Sequence, residues 1–153
     1  MPGDTTRDFQ RRIRDLAKYH AKVGCQNKSF RFEEFDEKIG YRPDVTWFHK
    51  GNNARDIYAI FEFEGSQKGK GTKGRKLIIG GLALANALAL KYDVSPYFFY
   101  IVRDKDRTLF KGRKKLFEKY YRPKIRINIV SVPDFDKEGT EKVAKSIRQK
   151  LGH

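Results

Sequence analysis

The chain has 153 residues, enough for one domain with a single buried core, and carries 34 Lys and Arg against 19 Asp and Glu, a formal net charge of +15. That balance favours a polyanionic partner, nucleic acid before an anionic membrane surface, and no segment has the apolar length of a membrane span. A single cysteine, Cys25, excludes an intrachain disulfide and a Cys-based zinc site; with no signal-peptide pattern among Arg7, Arg11, Arg12, Arg14, Asp4, Asp8 and Asp15, the expected compartment is the cytoplasm.

The first predicted element is a helix capped by Thr5 or Thr6 and running to about Val23. Phe9, Ile13, Leu16, His20 and Val23 recur on one stripe, and Gly24 is its expected stop. His20 on that stripe reads as a hydrogen-bonded histidine at the core edge. Ser29 to Ile39 carries both a strand pattern and a helix pattern, and a short strand ending near Phe35 is preferred. Glu33, Glu34, Asp36 and Glu37 form the one acidic cluster of a basic chain, for which charge balance is the simpler reason.

Tyr41 to Glu64, YRPDVTWFHKGNNARDIYAIFEFE, reads as two strands joined by a turn. Val45 to Phe48 is a β-branched and aromatic run suited to a half-buried strand, and Lys50-Gly51-Asn52-Asn53 is a turn cluster. Ile57 to Glu64 is the second strand, with Ile57, Ala59, Phe61 and Phe63 on one face and Tyr58, Ile60, Glu62 and Glu64 on the other. Such a hairpin brings Asp44, Glu62 and Glu64 to one end of an apolar sheet. Two readings stand. The glutamates can be a solvated strand end paired with Lys or Arg. Alternatively, carboxylates that repel one another share a divalent cation, and Mg²⁺ takes one or two carboxylates plus water and phosphate oxygens. Two residues apart on a strand, Glu62 and Glu64 have Cα atoms roughly 6.6 Å apart and could reach one ion.

This pattern resembles the PD-(D/E)XK nuclease superfamily of restriction-endonuclease-like fold. Pro43-Asp44 matches the PD element and Glu62 the acidic position, while Glu64 stands where that family usually has Lys. The resemblance covers roughly residues 5 to 103. It implies Asp44, Glu62 and Glu64 as catalytic and metal-binding residues, Mg²⁺ or Mn²⁺ as cofactor, and DNA as substrate. Glu33 or Glu34 could add an upstream acid to such a site.

Gly65 to Arg75, GSQKGKGTKGR, matches neither a Walker A motif nor a dinucleotide fingerprint. It is either a mobile solvated loop or a basic loop beside the carboxylates. The second reading is preferred, with Lys68, Lys70, Lys73, Arg75 and the following Lys76 as nucleic-acid-binding residues. Lys73 or Lys76 could also supply the cation that Glu64 replaces. Lys76 to Lys91 is apolar nearly all round and so a buried helix, which Gly80-Gly81 would let lie close to the sheet. Pro96 to Arg103 is the strongest strand and is expected to be central, with Asp104-Lys105-Asp106 as a turn. Leu109 to Tyr121 is an amphipathic helix with Leu109, Arg113, Leu116/Phe117 and Tyr120/Tyr121 inward and Lys111, Lys114, Lys115 and Lys119 outward; Pro123 ends it. Lys124 to Val132 alternates as a strand, and Lys137 to Leu151 is a last helix with Val143, Ala144, Ile147 and Leu151 inward.

The expected fold is α/β, a mixed central sheet flanked by helices and restriction-endonuclease-like, with residues 1–153 as one nuclease-like domain. The expected function is a Mg²⁺-dependent DNA endonuclease hydrolysing phosphodiester bonds. The alternative is a nuclease fold without catalysis that binds nucleic acid. A homodimer would bring the two sites needed to cut both strands.

Overall fold

The computed structural model describes residues 2–19, 23–25, 30–34, 37–41, 43–49, 56–64 and 71–151. For residues 2–6, 18, 19, 23–25, 30–34, 37–41, 64 and 71–78 it describes the backbone alone. Four α-helices and seven strands follow in chain order: α1 Pro2–Asp15, β1 Val23–Cys25, β2 Phe30–Glu34, β3 Glu37–Tyr41, β4 Val45–His49, β5 Ile57–Glu64, α2 Gly71–Tyr92, β6 Tyr97–Arg103, α3 Arg107–Tyr121, β7 Arg126–Val132 and α4 Lys137–Leu151. The architecture is α/β.

The main sheet is five-stranded and mixed, in the order β1-β4-β5-β6-β7. β1, β4 and β5 pair antiparallel, and β5, β6 and β7 pair parallel. Parallel neighbours need a crossover, which α2 and α3 provide. The sheet buries both faces. On one, Ile60, Phe98, Tyr100 and Val102 pack with Leu82, Ala85, Leu88 and Ala89 of α2 and with Phe110 and Phe117 of α3. On the other, Trp47, Phe61, Phe63, Phe99 and Ile101 pack with Phe9 and Ile13 of α1 and with Val143 and Ile147 of α4. Burial on both faces is why the β6 run YFFYIVR is apolar without alternation. β2 and β3 form a separate two-stranded hairpin.

Several expectations change. α1 ends at Asp15 and continues only as a 3₁₀ turn, Leu16–Tyr19; Gly24 lies inside β1 rather than stopping a helix. Ser29 to Ile39 contains parts of two strands, because Phe30 to Glu34 folds back on Glu37 to Tyr41. Val45 to Phe48 is buried on both faces, not half-buried, since helices cover both sides of β4. On β5 the parity breaks. Trp47 pairs with Ala59 but Phe48 with Ile57, so Tyr58 is an extra residue in a bulge. Ile57 therefore joins Ile60 in the α2–α3 core, and Tyr58 packs beside Ala59 in the other. α2 begins at Gly71, five residues before Lys76, taking up half of the expected basic loop. β6 is internal, but the middle strand is β5. Asp104–Asp106 forms a short 3₁₀ helix. On α3 the buried residues are Phe110 and Phe117, while Leu116, Tyr120 and Tyr121 are exposed. His20, Phe35, Asp36 and the Lys50–Asn53 turn lie outside the described residues.

Candidate functional site

The antiparallel pairing of β4 and β5 determines where the carboxylates fall. Val45 is level with Phe61, so Asp44, the residue just before β4, lies beside the end of β5 that carries Glu62. Asp44 is held there by more than register. Its Oδ2 accepts a 2.9 Å hydrogen bond from the Phe63 backbone N–H, so the aspartate is anchored to the peptide between Glu62 and Glu64. That amide is itself fixed by packing. The Phe63 ring is buried, edge-on to Phe9 at 5.4 Å between centroids and edge-on to Phe135 at 6.3 Å.

Glu62 follows Phe61 and precedes Phe63, both buried on the α1–α4 face. Alternation puts Glu62 on the α2 side, half-buried, and level with Tyr100 of β6. Glu64 ends β5, its backbone level with Val102. The structure thus brings Asp44 and Glu62 to one end of the sheet, with the Glu64 backbone two residues beyond. Among the described residues no group of three His, Cys, Asp or Glu side chains is placed to hold a metal ion. Two hard oxygen donors on adjacent strands nevertheless fit Mg²⁺, which completes its octahedron from water and phosphate rather than from an all-protein cage.

The predicted basic residues divide. Lys68 and Lys70 lie outside the described residues. Lys73, Arg75 and Lys76 belong to the first two turns of α2. Because α2 is the crossover from β5 to β6, its amino terminus lies at the sheet end where β5 finishes, the end that carries Asp44 and Glu62. A helix amino terminus also carries partial positive charge. The upstream acids Glu33 and Glu34 lie on β2, in the separate hairpin.

Two contributors are not side chains the sequence singled out as site residues. The Phe63 amide is one, because a backbone donor has no letter. The other is the close approach of α2 to β6. A Cβ at Gly81 would run into the Tyr100 hydroxyl, whereas Gly80 faces open space. The glycine pair hinted at close packing, but only Gly81 makes the contact.

The opposite end of the sheet carries an aromatic and cationic ladder. His49 lies against Tyr58 at 4.2 Å between ring centroids, Tyr58 edge-on to Tyr97 at 5.8 Å, and the Arg126 guanidinium 3.7 Å above the Tyr97 ring. Burial, then the neighbouring Tyr97, raises the Tyr58 hydroxyl pKa above its usual 10.0. These are cross-strand pairs that stabilise four adjacent strands.

Compared with protein-family models, curated proteins and solved structures, the chain matches none.

Proposed function

We propose that this chain is a metal-dependent DNA endonuclease of restriction-endonuclease-like fold, acting in the cytoplasm, with its site at the shared end of β4 and β5. The observation that carries the reading is the Asp44–Phe63 hydrogen bond, which holds a carboxylate against the peptide between two glutamates. A basic chain and a mixed sheet covered by helices on both faces agree with it.

A bound Mg²⁺ would supply Lewis-acid polarisation of the phosphoryl oxygen and a lowered pKa for water. Asp44 and Glu62 would hold it. Asp44 enters the site already oriented by the Phe63 amide, so little side-chain freedom is lost on binding. Glu64 would add a ligand or orient the attacking water. Lys68, Lys70, Lys73, Arg75 and Lys76 would neutralise phosphate as charge grows in the transition state. A homodimer would place two such sites on the two strands of a duplex.

A second reading has an observation in its favour. The Asp44 carboxylate already serves β5 as an acceptor, a role that needs no metal, and Glu64 replaces the usual lysine. On that reading the chain binds nucleic acid without cutting it.

One assay separates the two. Duplex, branched and single-stranded DNA are incubated with Mg²⁺, Mn²⁺ or EDTA, using the wild type, Asp44→Asn and Glu62→Gln. The nuclease reading expects metal-dependent products that both substitutions abolish. Binding without products on every substrate moves the assignment to the silent reading, and cleavage undiminished by both substitutions removes the site.

A further inference from the structure

β7 is the last strand of the sheet, and a cleft of about 700 Å³ runs along it between α3 and α4. Five cations line the cleft: Arg107, Lys111, Lys114 and Lys115 from α3, and Lys150 from α4. Among the described residues no acidic side chain lines it. Between the cations stand neutral hydrogen-bonding groups, Thr108 of α3, Asn128 of β7 and Ser146 of α4. Lys114 is shared with Glu118 at 3.6 Å, while Arg107, Lys111, Lys115 and Lys150 are exposed. Cations spaced along two walls, interleaved with hydroxyls and amides, are the groups that bind phosphate and sugar oxygens.

We infer that this cleft is a nucleic-acid backbone site, separate from the Asp44–Glu62 centre. Two strands lie between them, β6 and β7, each about 4.8 Å from the last. Two features argue against simpler occupants. A second copy of the chain packed on this face about a two-fold axis would bring the same positive wall against this one. A peptide strand added to β7 needs side-chain pockets, and the helix walls offer Lys, Arg, Thr, Ser and Gln instead. The inference does not rest on the nuclease reading, since a chain that never cuts would use the cleft in the same way.

The test measures equilibrium binding of a short mixed-sequence DNA duplex and of its single strand, in EDTA, over a range of salt concentrations. The variant is Lys111→Gln/Lys115→Gln/Lys150→Gln, three exposed side chains whose loss leaves the core untouched. The control, Lys105→Gln/Lys137→Gln/Lys145→Gln, removes the same charge from exposed positions outside the cleft. Each lost phosphate contact makes the slope of log K against log salt shallower by about 0.9 on duplex and about 0.7 on single strands. The cleft variant is expected to flatten the slope by about 2 to 3 and weaken binding roughly 10²-fold at about 0.1 M salt, with the control close to wild type. Lysine-to-arginine exchange at the three cleft positions should restore both quantities. Equal losses in variant and control would mean diffuse charge and overturn the site. So would an unchanged slope in the cleft variant, absence of DNA binding by the wild type, or capture in the cleft of an acidic β-strand peptide in preference to DNA.

Discussion

Asp44 does two things with one carboxylate, and substitutions can separate them. Replacing it with Ala removes the acceptor of the Phe63 N–H and leaves a part-buried donor unsatisfied, at a cost of about 1–3 kcal/mol. Asp44→Asn keeps an oxygen acceptor and should stay within about 1 kcal/mol of wild type while losing the charge a metal needs. Urea midpoints of the two variants check this; equal destabilisation would mean that the charge, not the acceptor, matters to β5. The acids themselves were legible in the sequence, because Asp44, Glu62 and Glu64 are letters at a countable spacing. Their anchorage was not, because it runs through a backbone amide. Gly81 makes a matching case on α2. Its missing Cβ leaves room for a Tyr100 hydroxyl that cannot swing away, since the Tyr100 ring is wedged edge-on to Phe98 at 4.9 Å and to Phe110 at 5.1 Å. Gly81→Ala should cost about 1–3 kcal/mol by overpacking. Gly80→Ala, one residue earlier and facing open space, should gain up to about 1 kcal/mol of helix propensity. In a Tyr100→Phe background the Gly81→Ala penalty should shrink, a non-additivity that a double-mutant cycle measures.

Among the elements, β5, β6 and α4 were read with their boundaries nearly right. The misreadings have physical causes. The Tyr58 bulge inserts one residue, and a one-residue slip exchanges faces, which moved Ile57 to the other core. The basic stretch before Lys76 looked like a loop for its glycines, yet Gly71 to Arg75 continues into α2 because the apolar helix behind it is anchored in the core. On α3 the periodicity offered two adjacent stripes; the sheet took Phe110 and Phe117 and left Tyr120 in solvent, where Lys119 lies 5.3 Å from its ring. The turn from β7 to α4 gives a prediction at this scale. Asp134 accepts the Phe135 N–H at 2.8 Å and the Arg103 Nε at 3.2 Å, and these two bonds, the backbone one first, pull its pKa below the usual 3.8. A depressed carboxylate contributes stability that is present above its unfolded value and lost as pH falls through its folded one. Asp134→Asn should therefore be less stable than wild type near neutrality, and the gap between their urea midpoints should close as pH falls from about 6 to about 2. A gap that stays constant over that range would show that the bonds do not depend on the charge.

For the whole molecule, the α/β class was legible in the order of the periods, a helix, strands, then helices and strands in alternation. The strand order was not, since only the crossovers place β7 at the edge and so create the cleft between α3 and α4. Among the described residues no helix is long and apolar enough to cross a membrane, because α2, the most apolar, is broken up by glycines and Asn86 and capped by Lys91. One property of the sheet has a consequence for time rather than place. β5 and β6 are bonded to a neighbour on each side and covered on both faces, so their amides can meet solvent only when the domain comes apart as a unit. In deuterium exchange, Ile60 to Glu62 and Phe98 to Ile101 should be the last amides to label, at the rate of global opening. Phe63 should label with them, although its acceptor is a side chain. Glu62 is thus carried on the slowest-opening part of the chain, and a cation held there would tighten the same clock that governs the life of the fold.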